Sequence, residues 1–410
     1  MGDIEQSQAP ASRESPGETF AVRIARHIGD VARADWDACA GAKPIPPAAT
    51  CSGNPFISHD FLMALEGSGS ATRSTGWLPH HLVLEDREGA VLGCMPCYLK
   101  SHSLGEYVFD HGWAEAYDNA GGRYYPKLQA SIPFTPVTGR RLLVRPGENR
   151  TAHQAVLLQA AMQVTDRLGL SSLHIAFLTR EEWELAGEIG YLKRTDLQFH
   201  WQNQDYSTFD DFLRVLASRK RKAIRKERRE ALRDGIAIEW VTGGDLTEAH
   251  LDAFYAFYMD TGSRKWGSPY LTRACFNLLG STMADRMVLI LAKRAGRYVA
   301  GAMNFVGQDT LYGRYWGGIE PHAFLHFEVC YYQAIEFAIS QKLAFVEAGA
   351  QGAHKLARGY LPVETYSAHY IADPALRRAV ADYLTRERLA VSREIALLAG
   401  ESPCRGKDRL

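Results

Sequence analysis

The first half of the chain alternates short apolar strands with an amphipathic helix. His81–Leu84 and Val91–Leu99, joined by the turn sequence DREG, predict a β-hairpin. Glu106–Asp110 follows as a third predicted strand, and Gln154–Leu168 places its apolar residues on one helical face. The apolar run Leu173–Phe177 then predicts a buried strand directly after that helix.

The second half repeats this order of elements. Met287–Lys293 and Tyr298–Val306, on either side of the turn RAGR, predict another hairpin. Leu311–Trp316 is the next predicted strand, Phe327–Lys342 is an amphipathic helix, and Phe345–Ala348 is the strand after it. The order hairpin, strand, helix, strand therefore occurs twice along the chain.

A short sequence match supports an internal duplication. The pattern V-x-G-x-M occupies Val91–Met95 in the first hairpin and Val299–Met303 in the second. Chance similarity is the alternative, because strands and helices alternate in many proteins. The shared pattern and the shared order of elements favour an α/β protein with two mixed modules, each a curved sheet flanked by helices.

The connecting segments divide the chain into five parts. Residues 1–19 are rich in Ser, Pro, Glu and Gln, and residues 41–50 are rich in Pro and Ala; both compositions predict disorder or a linker. The predicted parts are a mostly disordered or linker segment (1–53), a first module (54–205), a basic connecting helix (206–235), a second module (236–372), and a C-terminal helix and tail (373–410).

Charge and cysteine content narrow the functional classes. The 410 residues contain 47 Lys and Arg against 47 Asp and Glu, so any contact with nucleic acid must come from a local patch. Seven scattered cysteines argue against a disulfide framework and favour a reducing compartment. The sequence shows no signal-peptide core and no apolar run long enough to span a bilayer, so we expect a cytoplasmic protein.

Thr208–Asp234, between the two modules, predicts a helix with an unusual charge. The stretch SRKRKAIRKERRE contains eight Lys and Arg residues against two Glu, and cations spaced four residues apart on a helix repel one another. One interpretation is a solvated helix face. The other is an anion site that includes Arg219, Lys220 and Arg225, for the phosphates of a nucleotide-linked substrate or of RNA such as tRNA.

A polar loop with two glycines follows the predicted strand Phe345–Ala348. Its sequence GAQGAHK ends at Lys355, and α/β folds place ligand-binding loops directly after buried strands. His354 can move a proton near neutral pH and Lys355 can hold an anion or an oxyanion, so both are candidate catalytic residues. Gln351 and Arg358 are candidate substrate contacts. An ordinary polar loop is the alternative.

Two further groups of residues complete the candidate site. Glu328 lies in the first turns of the helix that begins at Phe327, which makes it a candidate general base. In the first module, a long polar and aromatic segment with few regular elements is typical of a substrate-binding loop. The candidate substrate contacts in and around this segment are Lys100, His102, Glu106, Lys127 and Arg140.

Several common catalytic motifs are missing from the sequence. It contains no Walker loop, no G-x-G-x-x-G and no G-x-S-x-G, which removes the usual nucleotide and serine-hydrolase chemistries from the leading hypotheses. Cys94 and Cys97 form a single C-x-x-C inside a predicted strand, so we interpret them as core packing. The histidines show no metal-binding spacing, and we expect no metal site.

Long segments of the sequence resemble one family. NPFISHDFLMALE from Asn54, FLHFEVCYYQAIEFAI from Phe324 and GAQGAHKLARGYLP from Gly349 are similar to bacterial predicted N-acyltransferases called FemAB-like, or peptidoglycan biosynthesis/recognition proteins. The resemblance spans roughly residues 54–395. It implies a tandem of mixed sheets of the Gcn5-related N-acetyltransferase (GNAT) type, flanked by helices.

The resemblance also implies a reaction. Fem-type enzymes move an amino acid from aminoacyl-tRNA to a peptidoglycan precursor, so we expect an acyl or aminoacyl transfer to an amine. An acyl-CoA donor is the second choice, because the sequence before Phe327 lacks the Q/R-x-x-G-x-G/A pattern usual in acetyl-CoA-dependent GNAT enzymes. The alternatives are an acetyl-CoA-dependent N-acetyltransferase of a small amine, and a non-catalytic module that binds a cell-wall precursor or RNA.

Overall fold

Strands and helices alternate along the chain as predicted. The computed structural model describes residues 20–41, 53–264, 269–349, 352–401 and 403. The strands are β1 (Ala21–Ala25), β2 (Trp77–Pro79), β3 (His81–Glu85), β4 (Val91–Met95), β5 (Cys97–Lys100), β6 (Lys127–Ala130), β7 (Leu143–Val144), β8 (Ser172–Leu178), β9 (Leu192–Gln202), β10 (Ile236–Thr242), β11 (Met287–Arg294), β12 (Arg297–Val306), β13 (Thr310–Gly318), β14 (Phe345–Glu347) and β15 (Leu361–Ile371). The helices are α1 (Arg33–Ala40), α2 (His59–Gly67), α3 (His111–Asn119), α4 (Arg150–Arg167), α5 (Arg180–Ile189), α6 (Phe209–Val215), α7 (Ser218–Ala231), α8 (Glu248–Arg264), α9 (Arg273–Thr282), α10 (Leu325–Phe327), α11 (Gln333–Ser340) and α12 (Pro374–Gly400).

The repeated order of elements is present in the structure, with β6 in the place of the predicted strand Glu106–Asp110. Hairpin, strand, helix and strand occur first as β3–β4, β6, α4 and β8, and again as β11–β12, β13, α10–α11 and β14. The two copies of V-x-G-x-M lie in β4 and β12, which are the second strands of the two hairpins. A π-helical segment, Glu328–Tyr332, separates α10 from α11.

The two modules share one mixed sheet. Its strand order is β10-β11-β12-β13-β14-β9-β15-β8-β6-β5-β2. The last strand of each module pairs with the other module, because β9 lies beside β14 and β15 lies between β9 and β8. A second, four-stranded sheet has the order β1-β3-β4-β7. The module boundaries at residues 205 and 372 stay predictions. Strands from the two sides of these boundaries are hydrogen-bonded to one another in the shared sheet.

Burial on both faces explains the apolar strands of the second module. In β11, Leu289 and Leu291 pack into the core formed with α8 and α9, whereas Val288 and Ile290 pack into the core formed with α10 and α11. A strand that is covered on both faces has no solvent-facing positions. This is why Met287–Lys293 reads as a continuous apolar run rather than as an alternating one.

The ordered core begins earlier than the sequence predicted. The first 53 residues were expected to be mostly disordered or linker, but β1 pairs with β3 and α1 follows it. Trp36 in α1 is fully buried, and its indole N–H donates to the carbonyl of Ile57 at 2.9 Å. The signal was weak because β1 has only five residues and includes an arginine. Residues 1–19 and 42–52 lie outside the described part of the chain.

Two other elements differ from the prediction. Glu106–Asp110 is a loop, not a strand, because Gly105 and Tyr107 have positive φ angles of 79° and 61°, which strands do not accommodate. The basic helix is divided into α6 and α7, since Leu216 and Ala217 have extended ψ angles of 151° and 141°. Cys94 and Cys97 are buried in the core, as the sequence indicated.

Candidate functional site

The second module opens between two parallel strands. β13 and β14 pair only from Thr310–Tyr312 to Phe345–Glu347, and then diverge. β13 continues as far as Gly318 beside β12 alone. The backbone groups on the other edge of Gly313–Trp316 therefore have no strand partner among the described residues, and backbone polar groups without a strand partner are available to a ligand.

A cavity of about 140 Å³ lies at this divergence. Its walls come from β12, β13, the end of β14, and the helical segment that begins at α10. The lining residues are Ala302, Asn304, Gly313, Arg314, Tyr315, Trp316, His326, Cys330, Tyr331 and Ala348. Aromatic rings and a few polar atoms surround the cavity, as is typical of ligand pockets, and it can enclose a small polar group of a ligand.

Two buried side chains of the cavity have polar atoms without a hydrogen-bond partner in the described part of the chain. Asn304 is fully buried; its amide nitrogen donates to Val288 at 3.3 Å, but its Oδ1 has no donor. The guanidinium of Arg314 contacts Glu347 at 3.3 Å, and its Nε has no acceptor. Leaving a buried polar atom unpaired costs about 1–3 kcal/mol, so both atoms are candidate ligand contacts.

The predicted loop lies beside this cavity. Lys355 is buried, and its ammonium donates to the carbonyl of Gly349 at 2.9 Å. Burial lowers the pKa of Lys355 to about 8, and the nearby cation of Arg314 acts in the same direction. His354 Nε2 lies 2.9 Å from the hydroxyl of Tyr331, a cavity residue. Partial desolvation and the nearby cations of Arg358 and Lys355 lower the pKa of His354.

The other predicted residues of this region have different positions. The guanidinium of Arg358 donates to Glu227 at 2.9 Å and stacks over the ring of Phe327 at 3.5 Å. Glu328 is fully buried and accepts hydrogen bonds from Arg228 and Gln333. It faces α7 and is absent from the cavity lining, so its role as a base stays a prediction that this geometry does not favour. Gln351 lies outside the described residues.

The candidate contacts of the first module form an internal charge network. Lys127 lies 2.7 Å from Glu106 and 2.5 Å from Asp110. Lys100 lies 3.7 Å from Glu106 and 3.6 Å from the centre of the Trp77 ring. Burial lowers the pKa of Lys100 and raises that of Glu106, each to about 7. These side chains are shielded from solvent and lie beside opposite charges, but Glu106 Oε1 and Asp110 Oδ1 have no hydrogen-bond partner in the described part of the chain. Their substrate contact stays a prediction.

The remaining first-module candidates contact backbone carbonyls. His102 Nε2 lies 3.1 Å from the carbonyl of Thr75. Arg140 donates to the carbonyls of Leu142 and Val144 at 3.4 and 3.0 Å. Neither residue lines the cavity of the second module. The structure therefore brings together His354 and Lys355 with cavity residues, and it separates them from the first-module group.

Helix α7 presents an exposed row of cations, which we call its outer face. The outer face consists of Arg219, Lys222, Arg225, Lys226 and Arg229. Arg225 is paired with Asp210 at 2.9 Å, and Lys220 is half-buried at the side of the helix. The opposite side of α7 is directed at the π-helical segment through Arg228.

The sequence analysis missed the residues that line the cavity. Asn304, Arg314 and Tyr331 were not among the candidates. The signal was present for two of them, since Asn304 interrupts the apolar strand YVAGAMNFV and Arg314 interrupts the aromatic strand LYGRYWG. A lone polar residue in a strand that is buried on both faces needs a partner, and a ligand is one such partner.

The fold and the open slot define the class of the protein. Two mixed α/β modules lie in tandem, and the second contains a cleft between diverging parallel strands, which we call the slot. This is the architecture of tandem GNAT-like proteins. No group of three or more His, Cys, Asp or Glu side chains in the described ranges is arranged to hold a metal ion. In the same ranges, no helix has both the length and the apolar composition that a bilayer crossing requires.

Comparisons with known proteins identify the family. The chain belongs to the FemAB-like family, described as peptidoglycan biosynthesis/recognition, whose sequence profile matches residues 27–406. No curated protein sequence matches the chain. The crystal structure of FemX is similar in fold, with a TM-score of 0.52 and 12% identity over 86% of this chain and 98% of that one.

Two further solved structures are similar at lower scores. L-PGS from Bacillus licheniformis has a TM-score of 0.49 and 10% identity, covering 79% of this chain and 94% of that one. A tandem GNAT protein from the clavulanic acid biosynthesis pathway has a TM-score of 0.42 and 12% identity, covering 87% and 99%. At these identities the likeness concerns the fold, and the reaction must be argued from the site.

Proposed function

We propose that the protein transfers an aminoacyl group from an aminoacyl-tRNA to an amine of a peptidoglycan precursor. The single observation that supports this most is the open slot of the second module. It combines diverging parallel strands, a cavity of about 140 Å³ and an unpaired buried acceptor, Asn304 Oδ1. An α-aminoacyl group carries both a carbonyl and an N–H donor, and Asn304 Oδ1 can accept from that donor.

The reaction needs no covalent nucleophile on the enzyme. The acceptor amine attacks the donor carbonyl, a C–N bond forms, and the ester C–O bond breaks. The proton lost by the amine ends on the leaving hydroxyl of the tRNA. In the proposal, Lys355 stabilises the oxyanion, because a cation near the slot favours developing negative charge. His354 and Tyr331, which share a hydrogen bond of 2.9 Å, move the proton.

The outer face of α7 is the proposed contact for the tRNA backbone. It carries five exposed cations in a chain of zero formal net charge, so the positive potential is local. The same helix contacts the π-helical segment, part of which lines the slot, through the pair Arg228–Glu328 at 2.9 Å. A donor with phosphates on the outer face and a reactive ester in the slot fits this arrangement. Because aminoacyl-tRNA and lipid-free wall precursors are made in the cytoplasm, we place the reaction there.

A transfer assay with separate donors tests the proposal. Purified protein is incubated with a UDP-linked muropeptide and with either aminoacyl-tRNA or acetyl-CoA, and the products are identified by mass spectrometry. The expected result is a muropeptide that gains one aminoacyl residue from tRNA. Acetylation by acetyl-CoA alone would replace the proposal with a GNAT acetyltransferase. Tight muropeptide binding without turnover on either donor would replace it with a binding module.

A further inference from the structure

Two adjacent residues of α7 reach the elements that form the slot. Glu227 accepts a hydrogen bond from the hydroxyl of Tyr332 and another from Arg358 at 2.9 Å. Tyr332 ends the π-helical segment, and Arg358 ends the turn that contains His354 and Lys355. One carboxylate therefore joins the basic helix to both sides of the candidate site.

Arg228 makes the second connection. Its Nε and its terminal nitrogen donate to the carboxylate of Glu328 at 3.1 and 2.9 Å, and the terminal nitrogen also reaches Glu336 at 2.6 Å. The guanidinium lies 4.4 Å from the ring of Phe209. Glu328 is fully buried and Arg228 is partly exposed, so loss of the arginine would leave a buried carboxylate without its cation.

Of the two segments held by these contacts, the π-helical segment lines the cavity, and the turn 353–358 contacts it through the hydrogen bond between His354 and Tyr331. Cys330 and Tyr331 lie within the π-helical segment, between Glu328 and Tyr332. π-Helical turns are rare, interrupt α-helices and are frequently found at functional sites. Because Arg228 and Glu227 hold the two ends of this segment, a small movement of α7 would also move the cavity residues between them.

Apolar packing holds α7 only weakly. Of its fourteen residues, Ile224 and Ala231 are the buried ones. The outer face destabilises the helix through repulsion between cations four residues apart. An anion on that face removes this repulsion, so anion binding and the docking of α7 are energetically linked.

We infer that Glu227 and Arg228 are positioning residues that couple anion binding on the outer face of α7 to the geometry of the slot. The inference rests on the proposed function for the identity of the anion, but the coupling itself is a property of this chain. Neither side chain contacts the reacting groups. Their effect passes through Tyr332 and Arg358 on one side and through Glu328 on the other.

Hydrogen exchange tests the coupling without any transfer activity. Backbone exchange of 328–332 and 353–358 is measured with and without a short synthetic RNA hairpin at saturating concentration. In the wild type, RNA slows exchange of both segments by about fivefold or more, the lower end of typical coupling energies. Glu227→Ala binds the RNA equally well but loses this slowing.

Glu230→Ala is the matched control. It removes the same charge from the same helix, but the partner of Glu230 is Arg233, at 2.7 Å, which does not contact the slot. This variant keeps the slowing. Arg228→Lys is the second test, since it keeps the charge and loses the bidentate geometry; its slowing is reduced in 328–332, the segment that Arg228 contacts.

Three results would overturn the inference. The first is that the wild-type protein does not bind the RNA. The second is that the RNA binds but leaves hydrogen exchange of both segments unchanged. The third is that Glu227→Ala keeps the full slowing of exchange. The proposed reaction is judged separately by the transfer assay. A protein that shows coupled exchange but transfers nothing would retain the coupling and lose the aminoacyl-transfer proposal.

Discussion

The two modules contain the same pair of parallel strands but differ in what lies beyond it. In the first module β6 pairs with β8 from Leu128–Ala130 to Leu173–Ile175, as β13 pairs with β14 in the second. The residue after the last pair is Ala176 in one module and Ala348 in the other. Ala348 lines the cavity, whereas the carbonyl of Ala176 accepts a hydrogen bond from Arg141 at 3.0 Å.

Arg141 fills the space where β6 and β8 diverge in the first module. It is fully buried, and it also donates to the carbonyls of Val137 and Gly139 at 2.5 and 3.0 Å. The backbone of Gly139 pairs with Phe177 at 3.0 Å. The chain thus folds back into the space that stays open in the second module. The two modules thus contain equivalent strand divergences, and Arg141 and the backbone of Gly139 occupy the first of them.

The largest expected effect concerns this closure. Arg141→Ala leaves several buried carbonyls without a donor, and we expect it to lower the free energy of unfolding by about 3–4 kcal/mol. Urea denaturation measures the change. Arg140→Ala, at the neighbouring position, removes two longer or more exposed hydrogen bonds and costs about 1 kcal/mol. If both variants were equally stable, Arg141 would not be the closing element.

The second prediction concerns the open slot. Lys355→Ala removes the proposed oxyanion contact and raises the free-energy barrier of transfer by at least about 2–3 kcal/mol, which lowers kcat/KM at least roughly 30- to 150-fold; this is near the lower end of the effect of one oxyanion donor. The fold stays intact, as circular dichroism would show. Lys342→Ala, an exposed lysine of the same module, is the control with unchanged activity. Full activity of Lys355→Ala would end this assignment.

The third prediction concerns the basic helix. Changing Arg219, Lys220, Arg221 and Lys222 to Gln together should lower the affinity for RNA about tenfold and reduce its salt dependence, because fewer counterions are released. The Tm stays nearly unchanged, since these side chains are exposed or half-buried. The matched control changes four exposed arginines of the first module, Arg123, Arg150, Arg167 and Arg180. A large loss of Tm without any loss of affinity would show that α7 is purely structural.

The smallest expected effect is a pH dependence. The pKa of Lys355 is lowered to about 8 by burial, so its cation disappears as the pH rises through that value. Transfer should fall about twofold between pH 7 and pH 8 and further above it. Stability changes in the opposite direction, because the unfolded state binds more protons between about pH 8 and 10.5. Lys355→Met should lack both changes; a wild-type rate that increases above pH 8 would contradict the cationic role.

Local patterns predicted those elements whose residues carry the signal themselves. The run Met287–Lys293 and the helical face of Gln154–Leu168 each depend on neighbours a few positions apart, and both elements were found as β11 and α4. The prediction of a strand at Glu106–Asp110 was wrong, because these residues form a loop. Two of its carboxyl groups turn inward to Lys127, a contact across 21 and 17 positions that no local period reveals.

The candidate site was predicted in part for the same reason. His354 and Lys355 were found because glycine and basic residues follow a buried strand, a local signal. Asn304 and Arg314 were missed because their side chains become candidates only once β12 and β13 are placed against the helix with Tyr331. The predicted contacts Lys100, Glu106 and Lys127 were selected by residue type, and the structure pairs them with one another.

The sequence by itself determined the repeat of elements, the cation-rich helix and the family, since each depends on residues close in the chain or on an extended match. Tertiary structure alone decided that β15 lies between β8 and β9, joining residues near 370 to residues near 175. It also decided which slot stays open. That outcome depends on whether a buried arginine folds back onto Ala176, and such long-range contacts carry no signal in the local pattern of polar and apolar residues.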